Sequence, residues 1–363
     1  MDTLLHTLPI QRQSSRCRAL SLYSANRALV TIAVLSFAVV SRPLESQSIP
    51  SACPSGSFKA NGDPDNTKIA QDACVKALDL FQYIAPQLGA LVAGGNLTQG
   101  LTGTVGGLGH FSVGIRGNGI IASFPDIDRV VPATRGAQSS NYTISKPMVG
   151  LPVGDLTIGI TKGLPLILTN VGGLDLLLSA AYLPGYSNSS VDITVPSGSW
   201  NIGYGAKLGI VQESAIIPGL SVSFLTRRLP EVSLTGKSGD DRLTLENLRV
   251  RTNSWRVVGG KSFLFLGGAA GFGRDSYDTD ATISATVAPR PASEGGSAGP
   301  IPLQQKLSRY NSFASLWINM VLVRIVGEIG RVSGGDVSTF NQFSGTKATD
   351  GRTYGSVGAS FGF

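Results

Sequence analysis

Apolar and polar positions alternate along most of the chain beyond residue 110. The clearest case is Trp200, Ile202, Tyr204, Ala206, Leu208 and Ile210, which alternate with Asn201, Gly203, Gly205, Lys207 and Gly209. That period of two is a strand with one apolar and one polar or small face. The same parity appears at Phe111, Val113 and Ile115, at Leu156, Ile158 and Ile160 within 153–163, and at Leu174, Leu176 and Leu178 within 171–182. It continues at Leu220, Val222 and Phe224 within 218–229, and at Val323, Ile325 and Ile329 within 322–333. Segments 243–260 and 262–277 read as a hairpin across Gly259, Gly260 and Lys261, with a facing that the pattern does not decide. Segment 307–318 pairs with 322–333, and 352–363 ends the series.

These segments predict about ten strands, with long connections at 125–152, 183–199, 230–242, 278–306 and 334–351 and short turns between. An even strand number with short turns at one end and long loops at the other is the rule for an antiparallel transmembrane β-barrel. Residues 281–288 and a partner near Tyr142 would raise the number to twelve. Ten is preferred, because twelve would move the Pro/Gly/Ser-rich stretch 289–303 to the short-turn end. A soluble β-sandwich also alternates, but it does not account for outer faces this apolar.

Ahead of the strands the period changes. Ile69, Ala73, Ala77, Phe81, Ile84, Leu88 and Leu91 recur at spacings of three and four, which predicts one apolar helical face. Asn66 or Thr67 is placed to cap the helix, Pro86 to kink or divide it, and Gly94 and Gly95 to end it. Its mixed surface does not suit lipid. Three placements remain open: a plug in the lumen, an element under the periplasmic mouth, or an aid to assembly.

Composition narrows the class. The chain has 46 Gly in 363 residues and 15% charged residues, nearly twice the usual glycine content of about 7%. No run of 18 apolar residues occurs after the leader, so a membrane protein of this sequence must close its strands into a barrel. Of the formal charge of +7, residues 1–48 carry +3. The remaining +4 is dispersed, without the basic stripe that nucleic acid requires.

Residues 28–40, ALVTIAVLSFAVV, follow several arginines and precede small Ser46 and Ser48. This is a secretory signal pattern, so 1–48 is expected to be removed after Ser48, with a true start downstream of Met1. The expected organisation is then an arm and helix over 49–105 and a barrel over 106–363. Export leaves Cys53 and Cys74, which an oxidising compartment should pair; two free buried thiols are the alternative. No histidine or further cysteine lies near them to bind metal, and no cofactor motif is present.

Within the last strand, Ser356, Gly358, Phe361 and Phe363 follow the order polar, x, Gly, x, x, aromatic, x, aromatic. This resembles the C-terminal β-signal of bacterial outer-membrane β-barrels. The resemblance implies a Gram-negative outer-membrane location, outer-membrane lipid and the barrel-insertion machinery as partners, and a periplasmic C-terminus. The helix-before-barrel order over 60–95 resembles the fatty-acid-transporter type of barrel, with Gly95, Asn96 and Leu97 where that family has Asn-Pro-Ala.

The inward parity selects Arg116, Asp175, Lys207, Arg227, Arg324 and Glu328 as lumen residues, with His110 and Ser112 near the start of the first strand. Their mixed signs suggest a charge-paired interior. His110 and Ser112 are similar to the His-x-Ser arrangement of outer-membrane phospholipase A, whose Asn-Gly continuation is here Val113 and Gly114. Gly358–Gly362 spells G-x-S-x-G, but it lacks the strand-turn-helix context of a nucleophile elbow. Tyr182, Trp200, Tyr310, Trp317, Tyr354 and Phe363 lie near strand ends, where interfacial girdles occur. The expected function is passive transport or binding of a small molecule, an apolar one being allowed, without an enzymatic role. The alternatives are a structural or surface-binding barrel, and a lipid hydrolase using His110 and Ser112.

Overall fold

The computed structural model describes residues 49–362 except 99, 127–130 and 292–293. The expected signal peptide and Phe363 of the terminal motif lie outside the described residues. One helix, α1 (Asn66–Ala93), precedes ten long strands: β1 (Phe111–Ile121), β2 (Met148–Thr161), β3 (Gly173–Tyr182), β4 (Trp200–Val211), β5 (Gly219–Arg228), β6 (Asp241–Phe263), β7 (Leu266–Val287), β8 (Gly296–Asn319), β9 (Val323–Val332) and β10 (Arg352–Gly362). Each strand pairs antiparallel with its neighbours in sequence, β5 pairs with β6, and β10 pairs with β1, so the ring is closed. Closure leaves no unpaired edge, which is what hydrocarbon demands of a sheet. Shorter strands Val232–Ser238, Val191–Thr194 and Tyr186–Ser187 extend sideways from β6.

The outer face of the ring carries Val113, Ile115, Ile202, Tyr204, Phe224, Phe272, Leu316, Ile329 and Val357, all exposed. Among the described residues no helix is long and apolar enough to cross a membrane. A closed antiparallel ring with such a belt has the architecture of a bacterial outer-membrane β-barrel.

Three strands are longer than the pattern suggested, and their polarity explains why. In β7 the outward residues are apolar at Ala270 and Phe272, then polar at Arg274, Asp278 and Asp280. The inward residues do the reverse, from Asp275 to Ala281, Ile283, Ala285 and Val287. β8 follows, with Ala314, Leu316 and Ile318 outward near one end and Gln304 and Lys306 outward near the other. The β7–β8 hairpin therefore leaves the lipid belt and continues as the wall of an ordinary apolar core. Most of the expected loop 278–306 is strand, and 281–287 extends β7 rather than forming a separate strand. Tyr142 lies in a two-residue strand that pairs parallel with Gln342–Phe343, tying two loops together.

The β6–β7 turn falls at Leu264 and Phe265, not at the glycines, and Leu264 has φ 52°. Gly259, Gly260 and Lys261 are paired inside the sheet with Ala270, Ala269 and Gly268. A Cβ at Gly260 would lie 2.5 Å from the Gly268 carbonyl oxygen and 2.7 Å from Thr102. Gly260 therefore serves close approach rather than chain reversal, whereas a Cβ at Gly259 would have its nearest neighbour at 3.8 Å. β1 begins at Phe111 rather than near Gly106.

Two of the expected girdle aromatics face inward. Trp200 is 63% and Tyr310 67% exposed, and Tyr182 lies 4.8 Å from Trp200 between ring centroids. Trp317, by contrast, is only 2% and Tyr354 only 1% exposed. Both have inward parity, and both lie over glycines: a Cβ at Gly267 would fall 2.2 Å from Trp317, and one at Gly330 2.2 Å from Tyr354.

Candidate functional site: the occupied lumen

The helix is buried on nearly every side. Ile69, Ala73, Ala77 and Phe81 join one core with Leu245, Tyr277, Ala281, Ile283 and Ala285 of β6 and β7. The opposite face is polar and holds the loops. Asp72 accepts from the Ala133 and Gln138 amides at 2.6 and 2.9 Å and pairs with Lys76 at 2.5 Å. Asp79 accepts from the amides of Phe340 and Asn341 at 3.1 and 2.6 Å. Gln87 donates to the Ser123 carbonyl and accepts from its amide. Tyr83 stacks on Phe343 at 3.9 Å, and Phe343 in turn on Tyr142. Periodicity alone leaves the placement of this helix open; it stands inside the ring with its first residues at the long-loop end.

Cys53 and Cys74 are joined by a disulfide that ties the arm to the helix. Asp65, rather than Asn66 or Thr67, occupies the N-cap position, without a side-chain capping bond. Pro86 does not divide the helix, which is continuous through it. Burial of Asp79 pushes its carboxyl up to about 6, against the pull of the Asn341 and Phe340 donors.

The C-terminal end of α1 lies at the centre of the ring. Helix ends leave backbone carbonyls without partners and carry partial negative charge. Arg227 from β5 donates to the carbonyls of Val92, Ala93 and Gly94 at 3.3, 2.9 and 3.0 Å, and to Gly95 at 3.1 Å. Arg116 and Asn118 from β1 donate to Gly94 at 3.0 and 2.7 Å, and Arg256 from β6 to Ala93. β1 stands across the ring from β5 and β6, so the arginines converge from opposing walls. A Cβ at Gly95, where φ is +72°, would lie 2.3 Å from Arg116 and Asn118. Only glycine fits.

Carboxylates surround the cluster. Asp155 pairs with Arg116 at 2.5 Å, and Asp275 stands 3.9 Å from Arg256. Glu328 accepts from Asn96 N and from the Tyr354 hydroxyl, both at 3.2 Å. The Arg227 guanidinium is held instead by the carbonyls that end the helix. Several buried donor atoms have no partner: Arg227 Nε, Arg256 Nε and Nη1, and Arg309 Nε.

Below the cluster, residues 95–98 and 100–110 descend to the short-turn end. Leu97 meets Leu177 and Leu225. Lys207 donates to the Leu101 carbonyl and lies 3.7 Å from Asp175, which accepts from Val105 N. Thr102 donates to Glu213, and Thr104 exchanges bonds with Gln212. Arg324 is half-buried at this end and donates to Asn319 at 2.7 Å. Together, helix and descending segment traverse the lumen from the loop end to the turn end.

His110 is exposed at the turn end, just before β1, and Ser112 lines a hollow of about 340 Å³ there with Arg324 and Ser360. No hydrogen bond joins His110 to Ser112 among the described residues. In β10, Ser356 and Ser360 are buried while Val357 and Phe361 have the outward parity, and Gly358 pairs with Arg116.

Asp155, Arg256, Asp275, Asn118 and Tyr354 are further lumen residues that the sequence pattern did not single out. Asp155 shares the inward parity of its strand and was recoverable. Arg256 and Asp275 lie on the two strands whose polarity reverses along their length.

No family model and no curated protein matches the chain. Among solved structures it is similar to the translocator domain of autotransporter NalP from Neisseria meningitidis, at 12% identity and a TM-score of 0.33, covering 81% of this chain and 99% of that one. It is also similar to the outer membrane protease OmpT from Escherichia coli, at 9% identity, a TM-score of 0.32 and coverage of 70% and 97%. The toluene transporter TodX from Pseudomonas putida aligns at 10% identity, a TM-score of 0.27 and coverage of 88% and 98%. At such identities the likeness concerns the barrel fold alone.

Proposed function

We propose that the protein is an outer-membrane pore held shut by its own N-terminal segment, which admits a small solute passively when that segment shifts. The observation that carries this reading is the way the segment is held. Below the helix it is held largely by side chains of the wall rather than by the wall's backbone, as in Glu213 to the Thr102 hydroxyl and Gln212 to the Thr104 amide and carbonyl, contacts that water can replace without breaking the ring. The wall at this level is polar and charged, so a polar solute fits better than the apolar one the sequence allowed. In the proposed orientation the short turns and the C-terminus face the periplasm, and residues 49–65 and the helix start lie at the cell surface.

The test is conductance in planar bilayers. Wild type should show openings, and Leu97→Cys with Leu225→Cys, oxidised, should abolish them by fixing the segment to the wall. A second reading, a non-transporting barrel that displays its arm and loops, draws on the loop contacts to the polar face of α1. Lack of conductance in wild type and in Arg227→Gln would favour it.

A further inference from the structure

We infer that the arginines at the lumen centre form an anion-binding filter, occupied at rest by the C-terminal carbonyls of α1, which act as a tethered substitute for the anion. This rests on the gated-pore reading above. Among the described residues, the buried inward cations of the ring are Arg116, Lys207, Arg227, Arg256, Arg309 and Arg352, against Asp155, Asp175, Asp275 and Glu328, with Asp241 at the loop end. Three cations face carboxylates: Arg116 faces Asp155, Lys207 faces Asp175 and Arg256 faces Asp275. Arg309 donates to the carbonyls of Ala348 and Asp350, and Arg352 to Ser123.

Arg227 differs from all of these. Its four hydrogen bonds end on backbone oxygens of residues 92–95, which belong to the plug itself. When the helix end withdraws, every one of them is lost. The wall carboxylates Asp155 and Asp275 then remain as its charge neighbours, but its hydrogen-bond donors, together with the unpartnered Nε atoms of Arg227 and Arg256 and Nη1 of Arg256, stand free in the same space. Guanidinium groups match the planar oxygen pairs of phosphate and carboxylate. A small oxyanion therefore replaces what the carbonyls supplied, and the open pore prefers anions. Plug and anion compete for the same donors, so an anion that binds here also favours the open state.

The experiment is reversal potential under a potassium chloride gradient, with wild type, Arg227→Gln and Arg227→Lys, each first shown to be folded by heat-modifiable gel mobility. Wild type should be anion-selective. Arg227→Gln should open more often, having lost the latch, with its reversal potential shifted towards that of a non-selective pore. Arg227→Lys should retain the preference. Inorganic phosphate should raise the open fraction of wild type while reducing its chloride current, and do so less in Arg227→Gln. Conductance without anion preference, or a preference unchanged in Arg227→Gln, would overturn this inference alone. Lack of conductance in all three proteins would overturn the pore as well.

Discussion

Gln305 donates its side-chain amide to the carbonyl of Gln82 at 3.2 Å, the carbonyl that Pro86 leaves without a helical partner. A proline removes the N–H that would bond four residues back, and a strand of the enclosing wall supplies the missing donor. This accounts for a helix that continues through a residue expected to divide it. Gln305→Leu should lower stability by about 0.5–1.5 kcal/mol, the net contribution of a part-buried hydrogen bond. In a Pro86→Ala background the loss should shrink, because the helix then satisfies Gln82 itself. The readout is a double-mutant cycle on the temperature of the heat-modifiable gel shift.

Tyr354 lies over Gly330, and its hydroxyl stands 3.1 Å from Asn311 Oδ1 and 3.2 Å from Glu328 Oε1, so that its one hydrogen serves either acceptor. Gly330→Ala would place its Cβ 2.2 Å from the ring, forcing Tyr354 off both partners. Overpacking of this kind costs about 1–3 kcal/mol. A comparable alanine at Gly327, whose Cβ would meet nothing within 4 Å, should leave the gel-shift temperature unchanged.

Asp79 provides the pH dependence. Its carboxyl stands raised, at about 6, in the docked state, against about 3.9 when free. The docked state therefore binds the proton more tightly than the released one, and that contribution is complete below the free value and lost as pH rises through about 6. Docking of loop 333–351 on the helix should weaken as pH rises from about 4 to about 6. Limited proteolysis of that loop as a function of pH should show the trend, and Asp79→Asn should flatten it.

The Cys53–Cys74 disulfide closes a loop with a sequence separation of 21. Chain-entropy estimates give a constraint of this size about 3 kcal/mol. Cys53→Ser with Cys74→Ser should therefore increase protease cleavage within 49–65 more than within the strands. Peptide mapping after brief digestion would show this, and equal cleavage throughout would contradict it.

The pattern of the sequence is most informative where one rule of polarity holds along a whole strand. In β4, Trp200 to Val211 agrees at both ends with its alternation. The period of α1 likewise agrees with its buried apolar face, because a face packed on one wall keeps one stripe. The limits come where two environments meet on one strand. Arg256 and Asp275 share a parity with Val250 and Ile283 on their own strands, so neither parity class reads as purely polar or purely apolar. Trp317 and Tyr354 look interfacial from position, whereas the glycines opposite them provide space inside the ring. The arginine cluster joins residues from β1, β5 and β6 to a helix end more than twenty positions from any of them. No local pattern encodes such a meeting.

The unequal height of the wall has a further consequence. β6, β7 and β8 contain 23, 22 and 24 residues, whereas a bilayer needs about 9–11 per tilted strand. The other strands contain 10 to 14. In the proposed orientation the molecule therefore rises from the cell as a one-sided ridge. An antibody or phage approaching along the membrane normal would meet the ridge side, with Arg249, Asp278, Asp280 and Lys306, before it reached the low rim opposite.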